Sequence, residues 1–200
     1  MCDSSLSSGG IQITIMNNSK VVNIRGLIKR FPMGKGQFTA LNGIDLSFGK
    51  GEFAGIIGPS GSGKTTLLNI IGTLDAPSQG VVELLGKDTG AFTHRMAAII
   101  RRKHIGFIFQ TYNLLPVYTV FENVEFPLLL LDMTRSDRKK AVLDALEWVG
   151  LSDKVSSRPA QLSGGECQRV AIARAMVKKP AIVLADEPTA NLDVENSHHI

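Results

Sequence analysis

Residues 56–72 read IIGPSGSGKTTLLNIIG, a glycine-rich stretch set between two apolar runs. Glycine loses more backbone entropy on ordering than any other residue, so such a loop weakens a fold unless something offsets the cost. The spacing identifies the offset. Gly58, Gly63, Lys64 and Thr65 fit G-x-x-x-x-G-K-[ST], with a predicted buried strand before the loop and a predicted helix after it. In that setting consecutive backbone N–H groups curl into a concavity for phosphate oxygens. The helix behind the loop points its N-terminus, about half a positive charge, at the same anion. Gly58, Pro59, Ser60, Gly61, Ser62, Gly63, Lys64, Thr65 and Thr66 are therefore the candidate nucleotide-binding residues. Lys64 is placed to reach the β- and γ-phosphates, and the Thr65 hydroxyl to ligate Mg²⁺.

The pattern on either side predicts an α/β protein. Residues 21–31 are β-rich, MGKGQ at 33–37 marks a hairpin or loop, and Ile44, Leu46 and Phe48 alternate with period two. GKGE at 49–52 is a further turn. Residues 53–57 and 181–186 are apolar throughout and read as strands buried on both faces. Residues 81–86 and 104–109 are strand candidates. Helices are expected after Lys64, after a capping Thr93, and over most of 114–179, including one that starts at a capping Ser136 and stops at Gly150. Strands alternating with helices argue for a largely parallel core.

Two hundred residues suit one domain, with 44% hydrophobic and 20% charged positions, the proportions of a soluble globular chain. Residues 1–20 read as a polar, partly disordered extension without the basic start and apolar core of a secretory signal. FPLLLLDM is too short to span a membrane. Two cysteines, Cys2 and Cys167, in unlike contexts argue against a disulfide framework and for a reducing compartment. The net charge of +4 is scattered over short basic runs, which argues against a nucleic-acid partner.

A phosphate loop implies a nucleoside triphosphate; the acidic end of residues 182–187, IVLADE, narrows the chemistry. A buried strand delivers its last side chains to the nucleotide edge of an α/β sheet. Asp186 there is suited to hold Mg²⁺ through water, and Glu187 to polarise the attacking water. LSGGE at 162–166, followed by CQRVAIARA, resembles the signature motif of ABC-transporter ATPases. So do FQ at Phe109 and Gln110 (the Q-loop), DEPTANLD at 186–193 (the Walker B motif and D-loop) and an aromatic at Phe31. The motifs keep the family's order and cover most of the chain. RFPMGKGQFTALNGIDL and IGFIFQTYNLLPVYTVFENVEFPL look most like the branch of lipoprotein-releasing, macrolide-export and antimicrobial-peptide-export ATPases.

The resemblance implies a P-loop NTPase (RecA-like) core at about 21–109 and 171–200, with an N-terminal antiparallel β subdomain and a helical subdomain inserted at about 110–170. It implies that Gln110 touches Mg²⁺ and the nucleophilic water, and that Phe31 stacks on adenine, the plain alternative for Phe31 being a core aromatic. Ser163, Gly164, Gly165 and Glu166 would offer a second phosphate site to a partner copy, and Asp193 would bridge the two. The expected partners are ATP, a homodimer in the ATP-bound state and a permease on a separate chain. The expected location is peripheral, on the cytoplasmic side of the plasma (inner) membrane. TYNLLPVYTVFENV would line the permease-coupling groove. Two departures stand out. Glu166 replaces the commoner glutamine, and no switch histidine follows the D-loop, His198 and His199 lying too early; the chain reads as C-terminally truncated. The competing readings are a soluble, non-transport ABC ATPase, and a chain that binds ATP without efficient turnover. About fifty residues between Gln110 and Leu162 leave no room for the long coiled coil of the former.

Overall fold

A computed structural model describes residues 12–13 and 20–188. The chain divides into two compact units, Met1–Ala98 and Ile99–Ile200. The expectation for 1–20 therefore lies outside the described residues apart from Gln12, Ile13 and Lys20, and so do Cys2, Asp193, His198 and His199.

The first unit is built on an antiparallel sheet. After β1 (Gln12–Ile13), β2 (Lys20–Met33) and β3 (Gly36–Gly49) form a hairpin whose register closes with Met33 opposite Gly36, across the predicted turn. β4 (Ile56–Ile57) precedes the glycine-rich loop, and α1 (Lys64–Ile71) follows it. β5 (Gln79–Leu84) returns along β2, pairing Ile24 with Val82, and β6 (Lys87–Asp88) adds the edge, for the order β3-β2-β5-β6. Alternation puts Val22, Ile24, Leu46, Val82 and Leu84 inside the unit, and α1 contributes Leu67, Ile70 and Ile71 to its buried residues. The N-terminal antiparallel β subdomain is thus present.

The second unit takes in most of α2 (His94–His104), with Thr93 Oγ1 accepting the Met96 N–H at 3.2 Å as its cap. β7 (Ile105–Ile108) follows, then α3 (Val120–Glu125), α4 (Arg135–Trp148), α5 (Gly164–Met176) and β8 (Ile182–Ala185). β7 and β8 are parallel, Ile105 opposite Ile182 and Ile108 opposite Ala185. Val120, Val124, Leu128, Val142, Leu146 and Val170 form the centre of one cluster that joins the three helices. Burying side chains of this size stabilises by about 1.5–3 kcal/mol each.

Three sequence expectations change. Ser136 does not cap α4. Thr134 does, its Oγ1 accepting the Asp137 N–H at 3.1 Å and donating to Asp137 Oδ2 at 2.8 Å. Thr134 places an acid at the third helical position, where the carboxylate accepts the cap's hydroxyl proton and suits the positive end of the helix. Ser136 would place Lys139 there, which has nothing to accept with. The other end is as expected: Gly150, at φ 68°, donates to Glu147 O at 3.0 Å and Leu151 to Leu146 O at 2.8 Å, the paired bonds of a left-handed helix stop.

Residues 53–57 do not form a strand buried on both faces. Only Ile56 and Ile57 are strand, paired antiparallel with β1, while Phe53 is 99% and Ile57 68% exposed. Burial on both faces requires layers on both sides, and among the described residues of its unit β4 has a ladder partner on one edge only. β8 also alternates. Ile182 and Leu184 are buried and Val183 is 40% exposed, so successive side chains of β8 point to a covered and an open face. Parallel pairing among the described strands is confined to β7 and β8.

Candidate functional site

The glycine-rich loop belongs to the first unit. Gly63 is the N-cap of α1 and sits at φ 95°, a conformation that favours glycine. A Cβ there would also lie 2.7 Å from Ala40 O and 2.8 Å from Leu41 Cδ2. The chain thus turns into α1 against β3 at a point that only glycine fits. Lys64 folds back over the loop, donating from Nζ to Gly58 O at 2.8 Å and Pro59 O at 3.0 Å, and Ser62 N–H bonds Pro59 O at 3.2 Å. Gly58, Pro59, Ser60, Gly61, Ser62 and Gly63 thereby form a loop closed by the Lys64 side chain, and Lys64, Thr65 and Thr66 begin the helix behind it. Its first-turn N–H groups have no acceptor inside a helix. Ser62 Oγ is buried and without a partner among the described residues. An orphaned hydroxyl beside a cation and a helix N-terminus fits a phosphate group.

Phe31 lies on β2 opposite Phe38 and is 37% exposed, so it is not a core aromatic. Lys29 Nζ stands 4.8 Å from the centre of its ring. Asp75 Oδ1 at 2.6 Å and Ala76 O at 2.9 Å hold that ammonium. One ring face is therefore backed by a fixed cation, an attractive arrangement for an aromatic quadrupole. Nothing in the sequence pattern pointed to Lys29, because its partners are brought in by the β2–β5 pairing.

The remaining candidates lie in the second unit. The parallel register continues past its last pair, with Asp186 N–H donating to Ile108 O at 2.9 Å. Gln110 and the acids Asp186 and Glu187 thus leave the carboxyl ends of two neighbouring strands, where open α/β sheets bind ligands. Glu187 has φ 46°. A non-glycine residue held in the left-handed region is a form of strain that collects at functional sites. Gln110 and Glu187 are exposed and Asp186 is half-buried.

Ser163 caps α5. Its Oγ accepts the Glu166 N–H at 3.2 Å, and Glu166 Oε2 accepts the Ser163 N–H at 2.7 Å, a reciprocal capping box. Gly164 and Gly165 occupy the first turn between them. Glu166 also meets Lys154 Nζ at 3.5 Å. The Ser163 N–H is the main reason that its carboxyl titrates below the usual value. Cys167 is a buried free thiol with Sγ 3.7 Å from Pro159 O, and burial pushes its pKa up, as fits a small core residue.

The sign of the Glu166 effect gives a prediction. A carboxyl whose folded pKa is depressed adds stability above its unfolded value, lost as pH falls through the folded one. Glu166→Gln keeps the capping box and has no proton to take up. We expect the loss of melting temperature between about pH 7 and about pH 3 to be smaller in Glu166→Gln than in the parent. Equal acid sensitivity by calorimetry would remove Glu166 from that role.

The family model described as ABC transporter matches residues 41–190, from within β3 through the glycine-rich loop and the α5 cap to five residues past β8. The chain belongs to the ABC transporter ATP-binding family. This cassette is 45% identical over 181 residues to an uncharacterized ABC transporter ATP-binding protein of Thermotoga maritima, covering 90% of this chain and 77% of that protein. It is 41% identical over 180 residues to the lipoprotein-releasing system ATP-binding protein LolD of Bacteroides fragilis, covering 90% and 82%. Among solved structures, the dimeric structure of a bacterial ABC transporter cassette superposes with a TM-score of 0.80 at 40% identity, over 90% of this chain and 79% of that one. A second dimeric structure, of a post-hydrolysis state bound to ADP and Pi, gives 0.79 at 40% identity, over 90% and 79%. The fold is that of the P-loop ATPase cassettes, and the chain is an ATP-binding, ATP-hydrolysing domain of the ABC type. No helix among the described residues of the cassette is long and apolar enough to cross a membrane.

Two sets of contacts in the cassette escaped the sequence reading because their partners are main-chain groups, which leave no mark in a sequence. Asn123, fully buried, accepts the Leu115 N–H at 2.8 Å and donates to the carbonyls of Leu115, Tyr118 and Thr119. Arg174 donates to the carbonyls of Tyr112 and Asn113.

Proposed function

We propose that this cassette powers a membrane export system whose permease is a separate chain. In this reading ATP closes a homodimer, hydrolysis opens it, and the motion passes to the permease from the cytoplasmic face of the plasma (inner) membrane. The domain organisation that goes with it is an ATP-binding core at about 21–109 and 171–200 with a helical subdomain at about 110–170. Lys64 and the loop residues hold the phosphates, Phe31 stacks on adenine, and Thr65, Gln110 and Asp186 serve Mg²⁺. Glu187 is the base. Ser163, Gly164, Gly165 and Glu166 face the other copy's γ-phosphate. A hydroxyl, an amide and a carboxylate are hard oxygen donors, and Mg²⁺ is usually held by few protein groups together with substrate phosphates.

The observation that supports an export role over a soluble ATPase is the set of exposed apolar side chains in the segment after the Q-loop. Val117 is 72%, Leu130 57% and Leu129 53% exposed, in the same segment as Tyr118 and Phe126, whose rings lie 6.4 Å apart. Val120 and Val124 of the same segment are core. Exposed apolar surface of this kind marks a docking face. The names of the relatives, lipoprotein-releasing among them, fit the same reading. We expect Val117→Asp with Leu130→Asp to lower co-purification with the membrane protein encoded beside this chain by at least about tenfold, the scale of losing one or two buried apolar contacts. Unchanged co-purification, or none with the parent, would favour the soluble reading.

A further inference from the structure

We propose that Arg174 is a positioning residue for Gln110, tying the loop that carries it to the helix that begins at Ser163; this rests on the reading of Gln110 given above. Arg174 Nη1 donates to Asn113 O at 2.6 Å and Nη2 to Tyr112 O at 2.7 Å. The two nitrogens of one planar fork hold two successive carbonyls, one bond from each, at a fixed spacing that the single nitrogen of an ammonium does not have. Among the described ion pairs, none gives Arg174 a carboxylate. A half-buried cation directed wholly at main chain carries a desolvation cost that an apolar side chain would avoid. What it supplies instead is a fixed position for the segment that follows Gln110.

The rest of the loop is held as well. Asn113 is at φ 49° with its Oδ1 accepting from Thr111 Oγ1 at 3.1 Å, and Asn123 pins residues 115 and 118–119 from α3. Gln110 is therefore bracketed by the end of β7 on one side and the Arg174 clamp on the other. Arg174 stands on the same helix as the Ser163 cap, about 16 Å along its axis at 1.5 Å per residue. A helix transmits displacement along its length as a rigid element, so any shift of its capped end reaches the clamp and the loop.

The experiment is a double-mutant cycle on ATP turnover with Arg174→Lys and Gln110→Ala. Arg174→Lys keeps the charge and loses the fork. It should lower kcat by about tenfold to a hundredfold, the scale of a misplaced catalytic group, while ATP affinity stays within about twofold. In the Gln110→Ala background the same substitution should add nothing, since its effect passes through Gln110. A penalty of undiminished size in that background would mean that Arg174 acts on the fold alone, and would overturn the proposal. A Gln110→Ala variant with parental turnover would instead overturn the role of Gln110, and the positioning role with it. If Arg174→Lys fails to fold, amide hydrogen exchange on the otherwise unaltered Glu187→Gln chain decides. Residues 111–113 should slow on adding ATP and Mg²⁺ together with 163–166, and slowing of 163–166 without 111–113 would overturn the tie.

Discussion

Lys64→Ala should abolish ATP binding at concentrations that saturate the parent. The ammonium is the one side-chain cation inside the loop, and its two present partners are the carbonyls of Gly58 and Pro59. A β/γ-phosphate competes well for it, because a charge-assisted bond to an anion is about twice as strong as a neutral one. Removing the lysine takes away that contact and leaves the two carbonyls facing the anion. Each hydrogen bond to a charged group contributes about 1.5–3 kcal/mol, so a loss of at least about a hundredfold in affinity is expected. The helix should survive, since the buried Leu67, Ile70 and Ile71 anchor α1. Titration calorimetry on a variant with parental melting temperature provides the check. Equal affinity would remove the loop from nucleotide binding.

Glu187→Gln should keep ATP binding and lose hydrolysis by about 10²–10⁴-fold, the usual contribution of a positioned general base. The amide has nearly the shape of the carboxylate and none of its basicity. Nothing else at the site need move, because Glu187 is exposed and its position follows from the backbone, which is held by the Asp186 N–H to Ile108 O bond. With opening blocked, the variant should elute as a dimer when ATP and Mg²⁺ are present. Phosphate release at the parental rate, with only monomer by size exclusion, would rule out Glu187 as the base.

The two variants separate binding from chemistry. Lys64 acts from the first unit and Glu187 from the second. Parental hydrolysis in Lys64→Ala and parental hydrolysis in Glu187→Gln would be different failures. The first would discard the phosphate loop. The second would discard Glu187 as the base and leave the loop untouched.

Much of this protein was legible in its sequence because the relevant physics is local. The loop needs glycine where φ is positive and a cation within one turn, and both are properties of neighbouring residues. The hairpin at Gly34, the Thr93 cap and the stop at Gly150 are decided by residues within a few positions of each other. The alternation of strand and helix gave the class in the same way. Tertiary structure decided what depends on partners distant in the chain. Whether an apolar run is covered on one face or two is a matter of what packs there, so β4 and β8 came out more exposed than their composition suggested. The cap expected at Ser136 falls instead on Thr134, because the acid at Asp137 closes on the threonine. Lys29 under Phe31, and Arg174 and Asn123 on the loop after Gln110, bind carbonyls or side chains brought to them by pairing and packing. A main-chain oxygen is the same in every residue, and only the fold determines which one a side chain meets.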